Sequence, residues 1–264
     1  MATIRSGEVP RGHKIVLGTG RLHRLALARK RQRVLAEAYA LGFRAFDVAP
    51  SYGNGICEIE IGIALRGKRA GCEVNTKYGI PVTIYGASSR HLFAFRRLAD
   101  VLSDNSASAY RRREFSGREL EASLHGSLKR LGTDYVDTLF VHEPLAPLDA
   151  RQLEEISVCG ERMKRQGKIQ ALGIAGPFGF IRQCASFVPF DVVQLPYADM
   201  NDAATALADK KVILYGVYRA YRRSRCDRSF SDFVRAALAE RPNTGVIVAS
   251  KSVETVRTFG SLLA

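Results

Sequence analysis

The sequence predicts an α/β chain folded as a single (β/α)8 barrel of the TIM type. Short β-branched or apolar runs alternate with stretches whose apolar residues recur at helical spacing, the pattern of parallel βαβ units. The strand-like runs number eight, which is the count that closes a parallel barrel. Residues able to do acid-base chemistry fall at the ends of several of these runs, where barrels carry their active sites. At 264 residues the chain has the length of one such domain, and the expected domain is 1–264.

In chain order, the first strand is expected at 14–17, ending in Gly18-Thr19-Gly20. Those glycines suggest a dinucleotide loop, but His23 stands where the third glycine of that fingerprint would fall, and no clear acidic partner follows a second strand. A doubly wound nucleotide fold is therefore disfavoured. Helical spacing follows over 31–41, then a strand over 44–48. Pro50, Gly53, Asn54 and Gly55 make a turn before a helix over 57–65. Later strands are expected at 73–76, 135–141, 169–174, 192–195, 212–217 and 245–248, with helices at 120–131, 153–166, 202–208 and 230–239. A long insert at roughly 80–116, with a helical-looking stretch over 92–102, breaks the rhythm after the third strand. Because it leaves a strand's carboxyl end, it is expected on the catalytic face, as a lid, a pocket wall or a solvated loop.

Composition narrows the class of protein. Hydrophobic residues make up 46% and charged residues 25%, enough for a buried core and ordinary for a soluble chain. Lys and Arg total 40 against 26 Asp and Glu, a formal charge of +14 that favours anionic partners in general. Nucleic-acid binding as the main role is argued against by the lack of zinc-finger spacing, of an aromatic RNA-binding signature and of a free basic helix. Five cysteines at wide, irregular spacing, with no Cys-x-x-Cys pair, point away from disulfides and a zinc site. The polar start, 1–12, has no signal-like apolar segment, and no run of about 18 apolar residues occurs. A reduced, cytoplasmic protein with no membrane span and no metal is expected.

The chemistry gathers around Asp47 and Tyr52. Lys77 closes the next strand-like run and His142 ends another, so acid, phenol, amine and imidazole all stand at or just past strand ends. The motifs that carry these residues are 42–47 with Ser51-Tyr52-Gly53-Asn54, Thr76-Lys77, and 127–137 running into His142-Glu143-Pro144. Gly167-Lys168-Ile169, Leu172-Gly173-Ile174, 193–197, and Lys251-Ser252 followed by Arg257 continue the series. In this order and combination they resemble the aldo-keto reductases over nearly the whole chain.

That resemblance implies a catalytic tetrad of Asp47, Tyr52, Lys77 and His142. Tyr52 would be the general acid or base, although a free phenol with a pKa of about 10 is poorly matched to neutral pH. Lys77 would lower that value, Asp47 would hold and neutralise the ammonium, and His142 would donate a hydrogen bond to the carbonyl oxygen. The resemblance also implies a nicotinamide cofactor, held by Gly18, Thr19, Asp47 and Gln194, with Tyr218, or its neighbour Tyr215, stacked on the ring. Lys251, Ser252 and Arg257 match the grip on an adenosine 2'-phosphate, which favours NADPH over NADH. The expected activity is NADPH-dependent reduction of an aldehyde or ketone, or the reverse oxidation of an alcohol or sugar.

Several positions depart from the family pattern. Ala175-Gly176 replaces a Ser-Asn pair that contacts the carboxamide, and Gly20 stands where many members carry tryptophan, a residue this chain lacks altogether. The chain ends at Ala264, soon after the last helix, where members often carry a tail that shapes the substrate pocket. These departures keep open a second expectation, a non-catalytic cofactor-binding regulatory module on the same barrel. Arg90, Arg96, Arg97, Arg111, Arg112, Arg113 and Arg118 in or beside the insert suggest an anionic small-molecule substrate. The sequence names no oligomeric state.

Overall fold

The computed structural model describes residues 15–82, 113–185, 190–203, 206–239 and 243–263. Eight parallel strands close into a barrel in chain order: β1 (Ile15–Gly18), β2 (Ala45–Asp47), β3 (Glu73–Tyr78), β4 (Val136–His142), β5 (Ile169–Ala175), β6 (Val192–Pro196), β7 (Lys211–Tyr215) and β8 (Thr244–Ala249). Closure is made by β8 on β1, with Ile15 opposite Val246 and Gly18 opposite Ala249. Around it lie α1 (Ala28–Ala40), α2 (Ile56–Ala64), α3 (Gly117–Leu131), α4 (Ala150–Arg165), α5 (Phe178–Ala185), α6 (Met200–Ala203), α7 (Val217–Ser224), α8 (Phe230–Ala239) and α9 (Val253–Gly260).

The barrel interior is filled rather than hollow. Val16, Ala45, Phe140, Ala171, Ala175, Val192 and Ile213 form one buried cluster inside the strands. Phe140 is the large member, and Gly173 on the neighbouring strand makes room for it: a Cβ there would lie 2.5 Å from the Phe140 ring. A second, larger apolar layer packs the helices onto the outside of the sheet. Small interior residues beside one aromatic ring let the barrel close at native density.

Among the described residues, the charged groups Arg31, Glu58 and Glu60 are buried in this outer layer as partners. Arg31 of α1 and Glu60 of α2, both fully buried, pair at 3.0 Å. The Arg31 guanidinium also donates to the carbonyls of Leu25 and Ala26, at 2.6 and 2.9 Å, pinning the β1–α1 connection. Glu58 accepts from Arg130 of α3 at 2.6 Å and from Thr76 of β3 at 2.8 Å, so one carboxylate joins three elements.

Some boundaries differ from the sequence expectation for local reasons. The seventh strand stops at Tyr215, because Gly216 turns the chain with φ of 74° and Val217 opens α7. α5 and α7 occupy stretches with no helical periodicity long enough to read, each being 8 residues. The expected helix over 202–208 is reduced to α6, and 204–205 lie outside the described residues.

Most of the insert, including its helical-looking stretch and Arg90, Arg96, Arg97, Arg111 and Arg112, falls on 83–112, outside the described residues. Its two ends meet beyond β3. Glu114 donates its N–H to the carbonyl of Gly79 at 3.0 Å, and the Phe115 ring lies against Gly79. Gly79 has φ of +104°, and a Cβ there would fall 2.1 Å from Phe115, so only glycine fits on both counts.

Candidate active site

Asp47 is the last residue of β2 and lies beside Gly18 of β1 and Asn75 of β3 in the parallel register. Tyr52 follows in a tight loop whose Gly53, Asn54 and Gly55 all have positive φ, 64°, 51° and 85°. The loop is closed by hydrogen bonds from Tyr52 N to Ala49 O at 3.0 Å and from Gly55 N to Pro50 O at 2.7 Å. The turn chemistry of Gly-Asn-Gly therefore returns the chain above the strand end and aims the phenol over the barrel mouth.

Lys77 of β3 is 2% exposed, and its ammonium donates to the Asp47 carboxylate and, at 3.3 Å, to the carbonyl of Val48. Gln194 of β6 donates through Nε2 to the same Asp47 oxygen at 2.9 Å. The Lys77 ammonium stands 5.4 Å from the Tyr52 ring centre. His142 ends β4, with its ring edge-on to Tyr52 at 6.0 Å between centres and 81° between planes. Burial, first, and then the charges of Lys77 and Arg113 hold the His142 imidazole well below its ordinary pKa. At neutral pH it is therefore uncharged.

These groups open into one cleft of about 560 Å³ at the carboxyl ends of the strands. Gly18, Gly20, Arg21 and Arg24 line it from the β1 side, and Tyr215, Gly216, Tyr218, Arg219 and Arg222 from the β7 side. Glu143, next to His142, faces it as well. Burial and the Glu143 carboxylate together push the Tyr215 phenol up.

The other residues singled out in the sequence are placed as follows. Thr19 is fully buried and its hydroxyl donates to the Asp47 carbonyl at 2.9 Å, fastening β1's end to β2. Tyr215 ends β7 opposite Pro196, while the exposed Tyr218 packs edge-on against Phe230 at 5.2 Å and Phe259 at 6.4 Å. Ser252 caps α9, its hydroxyl accepting from Thr255 N at 3.4 Å. Arg257 points to α1 and donates to Glu37 at 2.6 Å, and Lys251 is exposed beside the start of α9. Lys251, Ser252 and Arg257 stand past the β8 end of the cleft rather than in its wall.

Ala175-Gly176 serves through its backbone. The Ala175 carbonyl accepts from Glu143 N at 2.7 Å, and Gly176 N donates to the Gln194 carbonyl at 2.9 Å. The dipeptide thus holds the chain on either side of the cleft floor without contributing side chains. Sequence reasoning did not single out Glu143, Arg21, Arg24, Arg219 or Arg222. The signal that was available is arginine spaced by three, at 21 and 24 in the β1–α1 connection and at 219 and 222 in α7.

All five cysteines are free thiols, and among the described residues no cluster of three or more His, Cys, Asp or Glu side chains has metal-binding geometry. No helix among them is long and apolar enough to cross a membrane.

A closed parallel barrel whose mouth gathers a carboxylate-bound lysine, a phenol and a buried imidazole defines a (β/α)8 protein with a cluster of titratable side chains at its strand ends. The chain belongs to the aldo/keto reductase family, whose model matches residues 14–214. It is 28% identical over 172 residues to an NADH-specific methylglyoxal reductase of Escherichia coli, covering 64% of this chain and 48% of that protein. It is 30% identical over 146 residues to a D-threo-aldose 1-dehydrogenase of a Pseudomonas species, covering 53% and 42%. The chain thus spans about half the length of the curated relatives it matches. Among solved structures, an aldo-keto reductase from Bacillus halodurans in its holo form superposes with a TM-score of 0.75 at 17% identity, covering 95% of this chain and 86% of the other. The glycerol dehydrogenase of Gluconobacter oxydans gives 0.71 at 16%, with coverage of 95% and 86%.

Proposed function

We propose that the protein is an oxidoreductase that reduces an aldehyde or ketone to an alcohol, or runs the reverse oxidation, with NADPH as the preferred cofactor. The observation that carries this reading is the convergence of Asp47, Tyr52, Lys77 and His142, from three strand ends and one loop, on a single cleft. The relatives' named activities, on methylglyoxal and on an aldose, lie in the same reaction class.

The cleft suits a nicotinamide dinucleotide. Gly216 has open space where a Cβ would stand, Tyr215 offers a ring at the end of β7, and Gln194 offers an amide. Arg219 and Arg222, exposed on α7, supply charge for a pyrophosphate, with Tyr218 beside them. Lys251, Ser252 and Arg257 would meet a 2'-phosphate beyond the cleft's β8 end, Arg257 after leaving Glu37. The bound cofactor supplies or accepts the hydride.

The residues of the chain handle the proton. In reduction, Tyr52 Oη gives its proton to the carbonyl oxygen as the carbonyl carbon becomes the alcohol carbon. Lys77 beside it stabilises the phenolate that remains, and Asp47 keeps the ammonium charged and in place. His142, neutral at pH 7, donates a hydrogen bond to the same oxygen and orients it. With its pKa depressed, His142 carries little imidazolium at that pH, and its neutral N–H is a hydrogen-bond donor rather than a strong acid, which supports Tyr52 as the acid. Five free thiols support a reducing, cytoplasmic setting.

Titration with NADPH and NADH, followed by nicotinamide emission, tests the cofactor reading. Tighter binding of NADPH, weakened by Lys251→Ala and Arg257→Ala, is the expected result. Equal or tighter binding of NADH would overturn the preference, and binding of neither would remove the cofactor altogether.

A further inference from the structure

We propose that Arg21 and Arg24 form an oxyanion anchor for the substrate, selecting carbonyl compounds that also carry a carboxylate or phosphate monoester. The inference rests on the carbonyl-oxidoreductase reading above and names the substrate class for that site.

Both side chains line the cleft that holds Tyr52 and His142, and both are exposed. Arg21 is the N-cap residue and Arg24 the last residue of a single 3-10 turn, Leu22–Arg24. At three residues per turn, positions three apart eclipse, so the two guanidinium groups leave the turn on one face. Two planar forks side by side match the several lone pairs of a carboxylate or phosphate.

The turn is a fixed platform. Leu22 is buried, its N–H donates to the Thr19 carbonyl at 2.9 Å, and Arg24 N donates to the Arg21 carbonyl at 3.1 Å. Immediately after it, Leu25 and Ala26 are held by the buried Arg31 guanidinium. On its other side His23 packs against Gly53, where a Cβ would lie 2.4 Å from the His23 Cβ. That contact ties the turn to the loop carrying Tyr52.

Gly20 opens the path between platform and chemistry. A Cβ at Gly20 would stand 3.4 Å from the Tyr52 ring, so any larger side chain would extend over the phenol. With glycine there, a substrate lying over Tyr52 can run back towards Arg21 and Arg24. No carboxylate among the described residues forms an ion pair with either arginine. The acids of the cleft are otherwise engaged: Asp47 by Lys77 and Gln194, and Glu143 against Tyr215 on the β7 side.

Two matched pairs of carbonyls test the anchor, 4-oxobutanoate against butanal and glyceraldehyde 3-phosphate against glyceraldehyde. The wild type should prefer the anionic member of at least one pair through a lower KM. In R21Q/R24Q the ratio of anionic to neutral kcat/KM should fall by about tenfold or more. The pair that shows the preference identifies the anion as carboxylate or phosphate. An unchanged ratio, or an NADPH Kd that rises with no change in that ratio, would overturn the proposal, the latter assigning the arginines to the cofactor. Calorimetric titration with succinate and with inorganic phosphate reads the anchor without turnover. Binding that is lost in R21Q/R24Q supports the anchor even where none of the four carbonyls is reduced, a result that sinks the reductase reading alone. No binding of either anion to the wild type overturns the anchor.

Discussion

Gln194 and Asp47, 147 residues apart in the chain, meet at 2.9 Å on the floor of the cleft. The Asp47 oxygen that accepts from Gln194 is also the one that accepts from Lys77, so a single carboxylate organises β2, β3 and β6 at the barrel mouth. The buried ammonium of Lys77 depends on it for charge compensation.

Asp47→Asn removes that charge and leaves Lys77 buried without its counter-ion. Loss of one partner of a buried pair costs on the order of 3–5 kcal/mol. The double variant Asp47→Asn, Lys77→Met should recover much of this, since it removes the uncompensated charge as well. Urea unfolding of the single and double variants checks the prediction; equal stability of Asp47→Asn and wild type would contradict it.

His142 makes stability depend on pH in a definite direction. Its imidazole is held well below the unfolded value of 6.5, so between the two values the unfolded chain binds the extra proton. Its contribution to stability is full above pH 6.5 and is lost as pH falls through the folded pKa. Unfolding free energy should therefore decline on acidification below pH 6.5, before most carboxylates titrate, and decline less in His142→Asn. Parallel pH curves for the two proteins would contradict the assignment.

Gly79→Ala should destabilise the protein by about 1–3 kcal/mol, because alanine would occupy a left-handed conformation and press on the Phe115 ring. Lys77 lies two residues upstream, so catalytic rate should fall as well. Pairing Gly79→Ala with Phe115→Ala removes the clash but not the backbone strain, and thermal unfolding of the set separates the two.

Much of this architecture was legible in the chain because strand-end chemistry and barrel periodicity are local signals. The strands carrying Asp47, Lys77, His142 and Gln194 are short runs of 3 to 7 residues, and Asp47, Lys77 and His142 stand at or next to the carboxyl ends of theirs. What the sequence hid depends on distance. The Gln194–Asp47 bond joins strands far apart in sequence, and no spacing rule announces it. The expected seventh strand overruns to Val217 because Val212-Ile213-Leu214-Tyr215 reads on into it, and Gly216 alone marks the break before α7. Arg21 and Arg24 look like ordinary surface charge until the 3-10 turn places them over the cleft. Arg257 matches a family motif by position, whereas its guanidinium lies on Glu37 of α1, a contact set by helix packing rather than by the motif.

The proposed chemistry places the moving proton on Tyr52. The direct measurement compares wild type and Tyr52→Phe for NADPH oxidation at saturating carbonyl, with the NADPH Kd measured alongside. The ring and its contact with Gly20 are kept in the variant, so only the hydroxyl is lost. The expected result is a fall in kcat of about 10² to 10⁴ with the Kd changed by no more than a factor of about two. A variant that turns over at the wild-type rate would contradict it and move the proton transfer to another group in the cleft.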